Sequence, residues 1–337
     1  MKTGQESLVE YLQSHPSAFS HKVSKIDLEE THISWVLLTG KFAYKFKKGL
    51  KFGRVLDFST LQKRKKICQK EIDLNRPLCG KMYVGLVRVV KANDGFSVVS
   101  DSHRGRALEY AVKMLEIPQQ YRMDYLLQKK RVTKRTIKRI AKILAKFHKE
   151  TKSGKKILQF GRPSFIASKI NENFRTLEKL KKVDPTIEKN LLQYIKDNHE
   201  LFENRSSHRK IKDIHGDLHT KNVFIINNRI YLYDRIEFNE SLRYADVLED
   251  VSHLAMDLDF QGNSYLGNYF VEEYKKMNKE SEEITDLIRF YMCYKASMRA
   301  KVSFFQAKNE QDKAKSKNLK DNGSKLLKLA KSYELLF

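Results

Sequence analysis

Residues 213–238 read DIHGDLHTKNVFIINNRIYLYDRIEF, and both the architecture and the chemistry of the chain turn on this stretch. His215, Asp217 and Asn222 form H-x-D-x-x-x-x-N, and Asp234 follows twelve residues after Asn222. VFII and the run ending in YLYD have strand character, and the Asn-Asn pair between them suits a tight turn. A carboxylate and an amide on one loop, with a second carboxylate returning at the end of a hairpin, is what phosphoryl transfer needs. Asp217 would orient an attacking hydroxyl and accept its proton, while Asn222 and Asp234 would hold Mg²⁺ on nucleotide phosphates. A loop Asp and Asn that only make turns is the plainer alternative. The hydrophobic strand, the turn and the second strand ending in Asp favour the catalytic reading. His215, Asp217 and His219 also spell H-x-D-x-H, a possible transition-metal set. Alternate residues share a face only in a strand, however, and Gly216 argues against one there. His215 is expected to pack and to brace the loop.

Upstream of this stretch the texture changes twice. Residues 5–14 read as a short helix. Strand patterns run from Val23 to Phe46 and return in YVGLVRVV, FSVVS and ALEYAVKML, with Thr39-Gly40 and Asn93-Asp94-Gly95 as turns. Ser59 and Gln62 have capping-box spacing before the helical run LQKRKKICQKEIDLNRPL. In AYKFKK, Ala43, Lys45 and Lys47 fall on one side of a strand, Tyr44 and Phe46 on the other. Together these predict a five-stranded antiparallel sheet with one helix over residues 1–115. From Pro118 the pattern is helical, apart from the 213–238 stretch, so residues 116–337 form a larger, mainly helical part carrying the catalytic loop. No Gly/Ser linker marks the boundary, which predicts two lobes in contact.

Composition bounds the function. The chain has 337 residues and a formal charge of +25, from 66 Lys and Arg against 41 Asp and Glu. That charge invites a nucleic-acid reading. The basic residues are mostly Lys, spread along the chain, and no groove-reading element is evident, so nucleic acid is disfavoured as a partner. No apolar run reaches the roughly 18 residues that span a bilayer, and no secretory h-region opens the chain. Cys68, Cys79 and Cys293 are scattered and odd in number, which fits a reducing, cytoplasmic setting. Residues 234–259 reverse the overall sign, with eight acidic residues against Arg235 and Arg243. Asp246, Asp250, His253 and Asp257 fall on one helical face. The run reads either as a cation-attracting mouth, for Mg²⁺ and an amine-bearing substrate, or as charge pairing with neighbouring helices.

The 213–238 segment resembles the catalytic loop of the aminoglycoside phosphotransferase and choline kinase-like families, which share a bilobal protein-kinase-like fold of the α+β class. THISWVLLTGKFAYKFKK, LDFSTLQKRKKICQKEIDLNRPL, RALEYAVKML and the 213–260 region are similar to a bacterial aminoglycoside-phosphotransferase-like group. The resemblance implies that Lys45 binds the nucleotide phosphates and that Glu71 is its ion-pair partner. It implies that Met114 and Leu115 form the hinge that meets adenine, and that Asp250 braces the catalytic loop. It implies an ATP- and Mg²⁺-dependent transfer of the γ-phosphoryl group to the hydroxyl of a small molecule. Three departures stand out. No G-x-G-x-x-G occurs, Glu30-Thr31-His32-Ile33-Ser34 taking that place. Asp234 is followed by Arg235-Ile236 rather than Phe-Gly, which tells against a protein kinase. No P-loop motif is present. A nucleotide-binding pseudo-enzyme or a basic RNA-binding adaptor on the same scaffold is the alternative from another class, and the intact Asp217, Asn222 and Asp234 argue against it.

Overall fold

The computed structural model describes residues 4–53, 56–181, 183–281 and 284–337. In chain order the elements are α1 (Gly4–Ser14), β1 (Asp27–Glu30), β2 (Ser34–Leu38), β3 (Phe42–Lys47), β4 (Lys51–Phe52), β5 (Leu56–Asp57), α2 (Leu61–Cys79), β6 (Tyr83–Ala92), β7 (Gly95–Ser100) and β8 (Ala107–Leu115). There follow α3 (Met123–Gln128), α4 (Lys134–Glu150), α5 (Lys155–Leu158), α6 (Pro163–Glu178), α7 (Pro185–Asp197), α8 (His199–Ser207) and β9 (Ile211–Asp213). The chain continues through β10 (Val223–Ile226), β11 (Arg229–Leu232), β12 (Tyr244–Asp246), α9 (Val247–Phe260), α10 (Ser264–Asn278), α11 (Ile284–Asn309) and α12 (Lys313–Glu334). Contacts divide it into two compact units, residues 1–121 with 224–240, and residues 122–223 with 241–337.

The first unit is a sheet with strand order β1-β2-β3-β8-β6-β7, antiparallel throughout. It has six strands where five were expected. All six lie in segments that read as strand patterns; the first, DLEE of β1, is a mostly exposed, charged edge strand, the kind of edge that resists pairing with other chains. Alternation in β3 puts Tyr44 and Phe46 into a core with Trp35, Leu37, Val89 and Ala111, sealed by Leu8, Val9 and Leu12 of α1. Lys45 and Lys47 take the opposite face, as their spacing predicted. α1 approaches the β6–β7 turn so closely that a Cβ on Gly95 would lie 2.0 Å from the Tyr11 hydroxyl. The N-cap of α2 is Thr60, whose hydroxyl accepts from Lys63 N–H, one residue later than the expected capping box. Ser59 instead donates its hydroxyl to Asp57.

The hairpin of residues 224–240 packs with this first unit rather than with the helical part to which the sequence assigned it. The reason lies on α2: Asn75 Oδ1 accepts from Arg235 N–H at 2.8 Å, and Cys79 Sγ donates to the Leu232 carbonyl at 3.2 Å. Asn227 and Asn228 both have positive φ, the pattern of a two-residue hairpin turn whose twist matches its strands.

The second unit is built around α9. Twelve consecutive residues of that helix, 247–258, are buried, as befits a helix covered by α10 and α11. β12 pairs with β9 antiparallel, joining the start of α9 to the strand that precedes the 214–222 loop. Among the described residues no helix is long and apolar enough to cross a membrane. Gly161 lets the turn before α6 lie directly on β9, since a Cβ there would stand 2.2 Å from Ile211 Cγ1. Gly161→Ala should therefore lower unfolding free energy by about 1–3 kcal/mol through overpacking, read as a lower urea midpoint. An unchanged midpoint would show that β9 yields freely.

Candidate active site

In the first unit, Lys45 Nζ lies 3.0 Å from Glu71 Oε1 and 2.6 Å from Asp234 Oδ1. Lys47, fully buried beside it, lies 2.5 Å from Glu71 Oε2 and 2.6 Å from Glu237 Oε1. Glu71 thus bridges two lysines on one face of β3. Burial pulls both ammonium groups down, but the surrounding carboxylates outweigh it: Asp234, Glu71 and Glu237 hold Lys45 well above the usual lysine range, and Glu237 and Glu71 raise Lys47. Burial pushes the Glu71 carboxyl up, and the two lysines bring it below its ordinary value. Glu237 moves the other way, raised by burial despite Lys47.

Asn75, one helical turn beyond Glu71, donates to the Glu71 carbonyl at 2.9 Å while accepting from Arg235 N–H. The residue after Asp234 is thereby tied to the helix that carries Glu71. Asp234 itself sits at φ 63°, a left-handed position that Asp tolerates better than most residues, and its side chain is 38 % exposed. Lys47, Glu237 and Asn75 were not assigned to the site from sequence. The parity shared by Lys45 and Lys47 and the i,i+4 spacing of Glu71 and Asn75 were the available signals. Met114 is buried and Leu115 exposed at the end of β8, where Glu116 N–H donates to the Lys41 carbonyl.

In the second unit, Asp250 of α9 accepts from the backbone N–H of His215 at 2.7 Å and of Gly216 at 2.9 Å, while His148 Nε2 lies 3.1 Å away. His148 is in turn hydrogen-bonded through Nδ1 to the Tyr274 hydroxyl. Gly216 adopts φ 88°, which lets two consecutive N–H groups converge on one carboxylate. Further along the loop, Asp257 accepts both the N–H and the hydroxyl of Thr220, at 2.8 and 2.6 Å. The loop is pinned at both ends by α9.

Asp217, on that loop, keeps a third of its side chain exposed. Asn222 Nδ2 donates to the Asp217 carbonyl at 2.9 Å, leaving its own Oδ1 as a free acceptor. His219 Nε2 lies 3.5 Å and His253 Nε2 4.0 Å from the two oxygens of Asp217. Burial pushes the Asp217 carboxyl up, but His219, His253 and Arg299 outweigh it and hold it well below the usual range. Burial holds His253 well below the imidazole range, against the upward pull of Asp217. Lys45, Glu71 and Asp234 are thus one group, and Asp217, Asn222, His215 and Asp250 another.

The acidic run is mostly paired from within. Asp246 caps α9 at Leu248 N–H and binds Arg205, Glu249 binds Lys169 and Lys295, and Asp259 accepts from the Tyr333 hydroxyl. Burial raises the Asp250 carboxyl, and His148, with further help from His215 and Gly216, brings it below its ordinary value. Its contribution to stability is therefore complete above the unfolded value near pH 4 and lost as pH falls through the lower folded value. Asp250→Asn should cost about 2–4 kcal/mol at pH 7 and flatten the acid limb of a stability–pH profile measured with urea from pH 7 to 3. Parallel acid limbs in the two proteins would contradict this.

No family model matches the chain. Three curated relatives, from Mycobacterium bovis and two strains of Mycobacterium tuberculosis, are described only as uncharacterized proteins, and each is 31% identical over 294 residues. The match covers 85% of this chain and 56% of each relative, so the chain spans about half the length of these proteins. A choline/ethanolamine kinase family protein from Mesorhizobium loti superposes with a TM-score of 0.51 at 10% identity, covering 96% of this chain and 99% of that one. A GDP complex of an aminoglycoside 2′-phosphotransferase superposes with 0.51 at 15%, covering 96% and 97%. Choline kinase from Cryptosporidium parvum gives 0.52 at 9%, covering 97% and 96%. The chain has the α+β fold of these small-molecule kinases, the protein-kinase-like fold that the 213–238 motif led one to expect.

Proposed function

We propose that this chain is an ATP- and Mg²⁺-dependent phosphotransferase of the aminoglycoside phosphotransferase and choline kinase-like group, acting on the hydroxyl of a small molecule. The observation that carries the reading is the clamped loop: Asp217 is ionised and part-exposed, and Asn222, oriented by the same loop, offers a free amide oxygen. The kinase fold and the nucleotide in the aminoglycoside phosphotransferase complex support it. So does Lys45, held charged beside Glu71.

The roles follow from the chemistry of the groups. Asp217 accepts the proton of the attacking hydroxyl, and its low basicity matches a loose transition state in which proton transfer is late. Lys45, positioned by Glu71, presents its ammonium to phosphate oxygens, and Met114 and Leu115 present backbone to the base. Asp234 and the Asn222 amide oxygen are hard donors of the kind Mg²⁺ takes. Among the described residues no three His, Cys, Asp or Glu side chains gather as a metal cage. When bound, Mg²⁺ neutralises charge on the transferring phosphoryl group.

Asp217→Asn should retain nucleotide affinity within about threefold and lose about 10²–10⁴-fold in transfer of label from γ-labelled ATP to a pool of small alcohols. Equal turnover in wild type and variant would remove Asp217 from this role.

A further inference from the structure

Lys47 carries its charge where water does not reach. Its side chain has no exposed surface, and its ammonium stands over the ring of the likewise buried Phe58, 5.9 Å from the centroid. An ion pair so buried is a poor source of stability, since apolar side chains of similar volume commonly do as well or better. Without exposed surface Lys47 cannot touch a nucleotide, so it reaches the site only through its partners. Its Nζ lies 2.5 Å from Glu71 Oε2 and 2.6 Å from Glu237 Oε1, while Glu71 Oε1 is left to Lys45 at 3.0 Å. The last torsion of a glutamate is loosely set. A Glu71 carboxylate that met Lys45 alone could turn and offer that ammonium both oxygens, drawing it away from a phosphate. With Oε2 taken, the carboxylate has one orientation and Lys45 has one oxygen. The contact with Glu237 acts on Asp234, three residues earlier in the chain. It fixes from the side of β3 the segment that Asn75 fixes from α2 through Arg235 N–H. The backbone of Lys47 is held as well: its carbonyl accepts from Gln5 Nε2 at 2.7 Å, and Gln5 donates also to Glu109 at 2.8 Å.

We propose that Lys47 is a positioning residue of the nucleotide site, setting the place of the Lys45 ammonium through Glu71 and the place of the Asp234 carboxylate through Glu237. This rests on the phosphotransferase reading, in which Lys45 meets phosphate oxygens, and adds to it a group that touches neither nucleotide nor metal. Lys47 takes no part in the bond changes of the transfer; its effect falls on nucleotide affinity. Removing it has two separable consequences. Two buried carboxylates lose a cation, which lowers stability. Glu71 regains its freedom to turn, which lowers affinity.

The test measures melting temperature and the Kd for MgATP, by calorimetry on the full chain, at a temperature where each variant is folded. In Lys47→Met the melting temperature should fall and the Kd should rise on the order of tenfold, the usual effect of losing a group that orients a ligand. Lys47→Met combined with Glu237→Leu removes a stranded charge together with the lysine, so most of the melting temperature should return while the weakened affinity stays. Lys48→Met is the control on the neighbouring residue: Lys48 pairs with the exposed Glu30, and its loss should leave the Kd within about twofold. A folded Lys47→Met that binds MgATP as tightly as wild type would overturn the positioning role and leave the phosphotransferase standing. So would an affinity that returns with stability in the paired variant, which decides alone if Lys47→Met does not fold. No binding of MgATP by the wild type would sink the phosphotransferase reading and this inference with it.

Discussion

A buried carboxylate between a buried and a part-buried lysine organises the first unit. Glu71 has no exposure to water, and its charge is tolerable only because Lys45 and Lys47 meet its two oxygens. Burial works against the charge of both lysines; Asp234, Glu71 and Glu237 offset it for Lys45, and Glu237 and Glu71 for Lys47. Removing one member strands the others, a loss of about 3–5 kcal/mol for a buried pair. The network also bears on the proposed function. Lys45 is bound to Asp234 as well as to Glu71, so on that proposal phosphate oxygens offered to Lys45 would compete with a carboxylate already in place. Lys47 and Asn75 hold Glu71 and the 234–237 segment in register.

The second unit solves a similar problem with backbone groups. Asp250 gathers two consecutive N–H groups and an imidazole, and Asp257 gathers Thr220, so a single helix fixes the loop from 215 to 222. Asp217 is then free of structural duty and can stay exposed enough to meet a hydroxyl. The acidic run that looked out of character in a +25 chain is largely internal wiring for this arrangement.

The features legible in the sequence were those written in short-range pattern. The 213–238 motif, the alternation of β3 and the Asn-Asn turn each carry their meaning within a few residues, and they were enough for the fold. DLEE lies inside the 23–46 stretch that read as strand, and the count of five fell one short of the segments so read; it is an edge held by pairing with β2 and by Leu28 against the core. The hairpin of 224–240 was assigned to the helical part because its ties, to Asn75 and Cys79, come from about 150 residues upstream. Separations of 41 to 102 residues hid the partners of the acidic run: Arg205, Lys169, Lys295 and His148 give no local sign of where they will pair. Composition could therefore offer the two readings of that run, and only packing could choose.

The account depends most on a nucleotide site in which Asp234 answers to Mg²⁺. The direct measurement is the melting temperature of wild type and Asp234→Ala with ATP at saturating concentration, with and without Mg²⁺. The account predicts that ATP with Mg²⁺ raises the wild-type value by about 3 °C or more, and that the Mg²⁺-dependent part disappears in Asp234→Ala. No stabilisation of either protein by ATP, with or without Mg²⁺, would contradict it.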